Sequence, residues 1–304
     1  MARPVVAFLT SAEHAHLTAD DRLAADALAA HGVDVVPWVW TATSHARDAR
    51  ASQTAAADAP ACDLIVIRSP WDWTADPAGW DRMLARLEAG PIPLENRAAR
   101  HFQDKVYLED LAAKGARVAP SRFVRDLAAY DDVLARTGWH DVVAKPSLSA
   151  GGRKQLRFDP RAADHSHRDF AADVLRTGLL LIQPFFRAIV DQGEWSLVFF
   201  DGEYSHALKK HPAAGDYRVQ DDWGGTVAPA IAPPELVADA RKVLEASGES
   251  FLYARVDGFE SRDLGGFVCT ELEVVEPELF FRTDPQAPER FAAAVVRRLA
   301  RTRR

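Results

Sequence analysis

Lys145-Pro146-Ser147-Leu148-Ser149-Ala150-Gly151-Gly152-Arg153 follows a short apolar run, Val142–Lys145, that reads as a β-strand. Small residues and paired glycines let backbone N–H groups come close to an anion. Lys145, at the strand end, can meet the same anion. A plain hairpin turn with a surface lysine fits the stretch equally well. It is not a P-loop, because the lysine precedes the glycines and GxxxxGK[ST] is absent. With seven lysines against thirty arginines, each lysine in this chain stands out.

Downstream, the chain is rich in strands. Leu179–Gln183 is apolar, Trp195–Phe200 and Glu203–Leu208 flank the turn Asp201-Gly202, and Phe251–Asp257 and Gly266–Val274 form a second hairpin. Helices are expected at Pro233–Ser247 and Pro288–Arg301. Residues i and i+2 of a strand face one side, so Glu271 and Glu273 project together. A turn near Asp263-Leu264-Gly265 sets Asp257 opposite Glu271. Three carboxylates this close repel unless a cation sits among them, and hard oxygen donors suit Mg²⁺. A solvated strand face is the alternative.

Upstream, strand and helix alternate: Val5–Leu9, a helix capped by Thr18 with a Leu23, Ala24, Ala27, Leu28 stripe and a stop at Gly32, then Val33–Trp40, Leu64–Ile67 and the helix Pro77–Glu88. That is the pattern of a parallel sheet with covering helices. No GxGxxG follows the first strand, which excludes a dinucleotide fingerprint. From Asn96 a second segment holds a helix at Phe102–Ala113, strands at Arg122–Val124 and Leu156–Phe158, and helices at Leu127–Thr137 and near Asp169–Arg176. Ala49–Ala61 is alanine-rich and reads as a surface helix or loop.

The chain has 304 residues, 48% of them hydrophobic and 27% charged, which excludes a mainly disordered state. No apolar run reaches membrane-spanning length, and Met1-Ala2-Arg3-Pro4 leads straight into a strand rather than a secretory signal. A net charge of −7 argues against nucleic acid; the basic end, Arg297 to Arg304, suits a helix C-terminus. Cys62 and Cys269 are expected as buried, reduced thiols in a cytoplasmic protein.

The order of the parts carries a resemblance. Lys105, then Lys145 with its loop, then Leu181-Ile182-Gln183-Pro184-Phe185-Phe186, then Gly193-Glu194-Trp195-Ser196 through Gly202-Glu203, and last the acidic hairpin together resemble the ATP-grasp superfamily, near its glutathione-synthetase-like branch. The resemblance implies an α/β ATP-grasp fold: an N-terminal parallel-sheet substrate domain at 1–95, a central subdomain at 96–183 with the glycine-rich loop, and a C-terminal subdomain at 184–304 with the metal site. ATP would lie between the last two. It implies that Lys105 and Lys145 touch ATP phosphates, that Ser149, Gly151 and Gly152 belong to the covering loop, and that Gln183 and Phe185 sit in the linker whose backbone meets adenine. Glu194 matches a ribose contact. Asp257, Glu271 and Glu273 match magnesium ligands, with Glu-Leu-Glu where the family often has Glu-x-Asn. Arg218 and Arg255 match basic residues near the transferred phosphate or a substrate carboxylate.

Phe8–His14, Arg68-Ser69-Pro70-Trp71-Asp72-Trp73 and Glu271–Pro277 are similar to the O-ureido-serine cyclo-ligases of cycloserine biosynthesis. Arg68 and Asp72 follow a strand's C-terminal end, where open α/β sheets bind ligands; a structural salt bridge under Trp71 and Trp73 is the other reading. His14 and His206 read as surface or internally satisfied histidines, and Lys209, Lys210 and His211 as substrate-facing or solvated. The implied activity is ATP-dependent activation of a carboxylate as an acyl phosphate that nitrogen attacks, by ring closure of a small amino-acid-like substrate. An intermolecular carboxylate–amine ligase and a nucleotide-binding regulatory module are the alternatives. A homodimer is compatible with the reading.

Overall fold

The structure is a computed structural model and describes residues 2–43, 59–162 and 166–302. Three sheets follow one another along the chain. The first is parallel, in the order β2-β1-β3-β4, from β1 (Val5–Thr10), α1 (Ala19–Ala30), β2 (Asp34–Val39), β3 (Leu64–Ser69), α2 (Pro77–Ala89) and β4 (Leu94–Glu95). Thr18 caps α1 by accepting the Asp21 N–H at 2.9 Å. The expected α1 stripe is only half right. Ala24 and Leu28 are buried, but Leu23 is exposed and Asp20 and Asp21 turn inward instead. Asp20 accepts the N–H groups of Phe281 and Arg282, and Asp21 pairs with Arg68.

The expected helix Phe102–Ala113 is two pieces, α3 (Ala99–Gln103) and α4 (Tyr107–Ala113). Lys105 lies in the break, where its backbone N–H donates to the Ser147 carbonyl at 3.1 Å. The second sheet follows, antiparallel, in the order β5-β8-β6-β7: β5 (Arg122–Val124), α5 (Leu127–Thr137), β6 (Val142–Pro146), β7 (Leu156–Phe158), α6 (Ser166–Leu175) and β8 (Leu180–Pro184). It has its own core around Val124, Tyr130, Leu134, Val142 and Ile182.

The third sheet, also antiparallel, runs β11-β10-β9-β12-β13. Its elements are α7 (Arg187–Gln192), β9 (Glu194–Phe200), β10 (Glu203–His211), β11 (Thr226–Ala230), α8 (Pro234–Ser247), β12 (Tyr253–Ser261), β13 (Gly266–Glu273) and α9 (Ala287–Thr302). It shares apolar cores with the first sheet: Val6, Phe8, Ala24 and Leu28 pack with Val198, Phe200, Phe291 and Val295. Buried Asn96 ties the seam, donating to the Tyr253 and Val274 carbonyls and accepting the Leu252 N–H, all within 2.8 Å. The first and third sheets therefore form one packed body, and the second sheet stands over it as the other jaw of a cleft. Both cysteines are free thiols; Cys269 is buried as expected, whereas Cys62 is only half-buried. Most of the alanine-rich stretch Ala49–Ala61, and Arg303-Arg304, lie outside the described residues. Among those described, no helix is long and apolar enough to cross a membrane.

Candidate active site

A cavity of about 400 Å³ lies between the second and third sheets. The β12–β13 hairpin lines its floor with Asp257 opposite Glu271, as expected, and the same register sets Arg255 opposite Glu273. Strand alternation aims Arg255 and Asp257 the same way, and β9 and β10 add Glu194 and Lys210. Opposite, β6 ends in Lys145, and Lys105 enters from the break between α3 and α4.

Eight charges meet here, four of each sign. Asp257 accepts from Arg255 Nη2 at 2.9 Å, Lys210 Nζ at 2.9 Å and Ser196 Oγ at 2.6 Å. Lys210 also reaches Glu194 at 2.9 Å, and Thr270 Oγ1 donates to Glu194 at 3.1 Å. Arg255 bridges on to Glu273 at 2.5 Å, and Lys105 pairs with Glu271 at 3.0 Å. The cation that three neighbouring carboxylates demand is thus supplied by the chain itself. Each acid is turned to a lysine or arginine, and among the described residues no three are gathered as a metal site.

Burial would raise Asp257, but Arg255 and Lys210 outweigh it and hold the carboxyl well below the usual range. Glu271 is likewise lowered, because Lys105 and Lys145 outweigh its burial. Glu194 is raised by burial despite Lys210. Glu273 is pushed up to about 8, by burial first and by Glu271 and Asp257 against the pull of Arg255. The hard carboxylate oxygens of Asp257, Glu271 and Glu273, set side by side on one strand pair, are the donor type that suits a divalent cation bridging phosphates, so the donor set fits Mg²⁺ in its chemistry. Lys210 loses by burial but is held above its ordinary value by Asp257 and Glu194. Lys145 is lowered, by burial first and by Lys105, with Glu271 opposing. It has no ion pair of its own among the described residues, which leaves its ammonium free for an incoming anion.

The glycine-rich loop roofs this cluster. Gly151 and Gly152 both hold φ of +65°, a left-handed pair that other residues adopt only with strain. A Cβ on Gly152 would lie 2.6 Å from Gln220 Oε1. Lys105 Nζ donates to the Ser149 carbonyl at 2.7 Å, Ser149 Oγ to the Pro146 carbonyl at 3.0 Å, and Trp223 Nε1 to the Gly151 carbonyl at 3.0 Å. At the far end, Gln183 and Phe185 line an aromatic slot. Arg157 lies 3.5 Å over the Phe185 ring and Tyr217 meets it edge-on; Gln183 Nε2 donates to Ser121 Oγ.

Arg255 is central to the charge cluster. Arg218 also lines the cavity, but Asp216 clamps its guanidinium and it stacks 3.4 Å over Trp223. Arg68 and Asp72 are not brought to the cleft. Arg68 is 1% exposed, pairs with Asp21 at 2.9 Å, donates to the Pro277 carbonyl and lies over Tyr253. Asp72 accepts the Trp40 indole N–H. The bond to Pro277 ties the first sheet to the segment after β13, the other two stay within the first-sheet segment, and Trp71 and Trp73 line the cavity instead. His206 is buried, with Nε2 on the Leu279 carbonyl. Of the lysine pair, Lys209 lies over Trp195 and bonds the Gln192 carbonyl, whereas Lys210, 5% exposed, is a cluster member. Alternation along β10 carried that signal, since Lys210 shares the inward face with Leu208.

The first-sheet segment, residues 6–96, matches the family model for the N-terminal domain of D-cycloserine synthetase DcsG. The cycloserine biosynthesis protein DcsG of Streptomyces lavendulae is 30% identical over 257 residues, covering 78% of this chain and 83% of that protein. The crystal structure of D-cycloserine synthetase DcsG superposes with a TM-score of 0.81 at 27% identity, covering 97% of this chain and 99% of that one. D-alanine–D-alanine ligase from Bacillus anthracis, complexed with ATP, gives 0.67 at 15% identity over 99% and 98% of the chains, a likeness of fold. The chain has the α/β ATP-grasp fold and belongs to the DcsG family of ATP-grasp ligases, which form carbon–nitrogen bonds at the expense of ATP.

Proposed function

We propose that the chain closes O-ureido-D-serine to D-cycloserine, with ATP held between a central subdomain (96–183) and a C-terminal subdomain (184–304), and residues 1–95 completing the substrate end. The observation that carries this reading is the pairing of the likeness to DcsG along most of the chain with a cleft whose basic side chains ring its acidic floor. Gln183 and Phe185 would flank adenine and Glu194 the ribose. Lys105, Lys145, Lys210 and Arg255 would hold the β- and γ-phosphates, with Ser149, Gly151 and Gly152 folding over them. Asp257, Glu271 and Glu273 would hold Mg²⁺, which when bound neutralises charge on the phosphate oxygens.

The substrate carboxylate attacks the γ-phosphorus and ADP leaves. The resulting acyl phosphate is attacked by the oxygen-bound nitrogen of the same molecule, and phosphate departs from the carbonyl carbon. Loss of the carbamoyl group, with water, as carbon dioxide and ammonia completes the atom balance to D-cycloserine. The protein's part is positioning and charge: lysines and Arg255 stabilise the transferring phosphoryl group, and no serine or cysteine nucleophile is needed. An internal nucleophile gains an effective concentration on the order of 10⁵ M or more when well oriented. Substrate labelled with ¹⁸O in its carboxylate tests the acyl phosphate. One label should appear in the released phosphate; unlabelled phosphate would exclude this chemistry.

A further inference from the structure

Seven acidic residues line the cleft: Glu194, Asp222, Asp257, Glu271, Glu273, Glu276 and Glu278. Six are ion-paired. Glu194 and Asp257 meet Lys210, Glu271 meets Lys105, Glu273 meets Arg255, Asp222 meets Arg153 at 3.5 Å and Glu278 meets Arg282. Glu276 alone has no basic partner among the described residues. Its polar neighbours are the Trp73 indole, which donates to Oε1 at 2.5 Å, and its own backbone N–H. Lys105 is the nearby cation, but its ammonium is committed to Glu271 and to the Ser149 carbonyl.

The carboxylate is also held in place. Trp71 Nε1 donates to the Glu276 carbonyl at 2.9 Å, so both tryptophans of the motif 71–73 brace one residue from opposite ends of its structure. Trp71 is 39% exposed on the cleft wall, an unusual exposure for an indole that already spends its N–H. A half-buried, oriented carboxylate whose direct partners are neutral N–H donors, beside the exposed Trp71 that His14 meets edge to face at 5.2 Å, is the chemistry that recognises a compact cation. It stands beside Trp71 and Trp73 on the wall of the same cleft.

We infer that Glu276 is the recognition point for the ammonium group of an amino-acid substrate, with Trp71 as its aromatic wall and Trp73 as the donor that aims it. This rests on the ligase reading of the cleft. It adds a requirement to that reading: the substrate must carry a free amine besides the carboxylate that is activated. A desamino acid would leave Glu276 unpaired in a closed cleft and be rejected.

Titration calorimetry on the full chain loaded with Mg-ADP tests it with two ligand pairs, O-ureido-D-serine against 3-(ureidooxy)propanoate and D-alanine against propanoate. Wild type should prefer the amine-bearing member of at least one pair by about 10- to 100-fold, the range for a charge-assisted hydrogen bond. Glu276→Gln should abolish that preference while keeping the wild-type Mg-ATP affinity and melting temperature. Glu276→Asp, which keeps the charge, should retain most of it. Failure of O-ureido-D-serine to give a ring product would sink the cyclisation reading, while an E276Q-sensitive preference in the D-alanine pair would still support the Glu276 assignment. The assignment is overturned if wild type shows no preference in either pair, if E276Q keeps it, or if E276D loses it as completely as E276Q.

Discussion

Lys105→Met separates the two parts assigned to one side chain. Lys105 is 4% exposed, and its ammonium spans Glu271 at 3.0 Å and the loop carbonyl of Ser149 at 2.7 Å. Hydrogen bonds involving a charged group contribute about 1.5–3 kcal/mol each, and the partial exposure of Glu271 discounts its share. The net cost to stability should be about 2–3 kcal/mol. For 304 residues, at an unfolding entropy of about 2.1 cal/mol/K per residue, that lowers Tm by about 3–5 °C. Loss of one phosphate-facing cation should weaken Mg-ATP by about 10- to 100-fold. The double variant Lys105→Met/Glu271→Gln distinguishes the two effects. It removes the carboxylate left unpaired and should recover part of the Tm, but none of the nucleotide affinity. Thermal unfolding followed by circular dichroism and nucleotide titration read the two quantities. If K105M binds Mg-ATP as wild type does, Lys105 is only a strut under the loop and its phosphate contact is wrong. If the double variant recovers no stability, the Lys105–Glu271 pair is not what the single change breaks.

Lys145→Ala should weaken Mg-ATP by at least tenfold with little change in Tm, since among the described residues its ammonium makes no direct ion pair and only attracts Glu271 at a distance; nucleotide titration checks it, and equal affinities would remove Lys145 from the site. Glu271→Gln and Asp257→Asn should each lower turnover by about two orders of magnitude or more, whereas exposed Glu249→Gln should not; ADP release measured for all three decides it. D257N should also cost stability, because Lys210 and Arg255 lose the negative charge they share and one of its two accepting oxygens. Burial holds the His206 imidazole below its ordinary value, against the opposing Leu279 carbonyl. The unfolded chain then takes up a proton more readily than the folded one, so this contribution to stability is full above about pH 6.5 and is lost as pH falls below it. His206→Gln should flatten the fall in Tm between pH 7.5 and 5.5, and an unchanged slope would refute the assignment.

The acidic hairpin was legible because strand period and a short turn are local: alternation put Glu271 and Glu273 on one face, and the turn at 263–265 set Asp257 against Glu271. The chain's own neutralising cations were half visible. Arg255 lies two residues before Asp257 on the same strand, but Lys210 comes from a neighbouring hairpin, and only sheet pairing brings it in. The break at Lys105 was not legible. Residues 102–113 keep helical spacing throughout, and the interruption comes from a long-range bond to Ser147 and the reach to Ser149. Arg68 failed for a similar reason. A strand's C-terminal end suggested a ligand, yet its partner is Asp21 on α1, a pairing that no local pattern announces. Glu276 lies within the 271–277 motif but carries no local signal as a site, because what distinguishes it is the absence of a basic partner among the described residues, visible only when the partners of all the cleft acids are known.

The central claim is that one small substrate carries both the carboxylate that ATP activates and the nitrogen that attacks it. The direct measurement incubates the chain with O-ureido-D-serine, ATP and Mg²⁺, with no added amine, and follows ADP, phosphate and product mass together. The account predicts D-cycloserine, ADP and phosphate in equal amounts. ADP that appears only when a separate amino acid is supplied, with a linear amide as product, would contradict it and make the chain an intermolecular ligase.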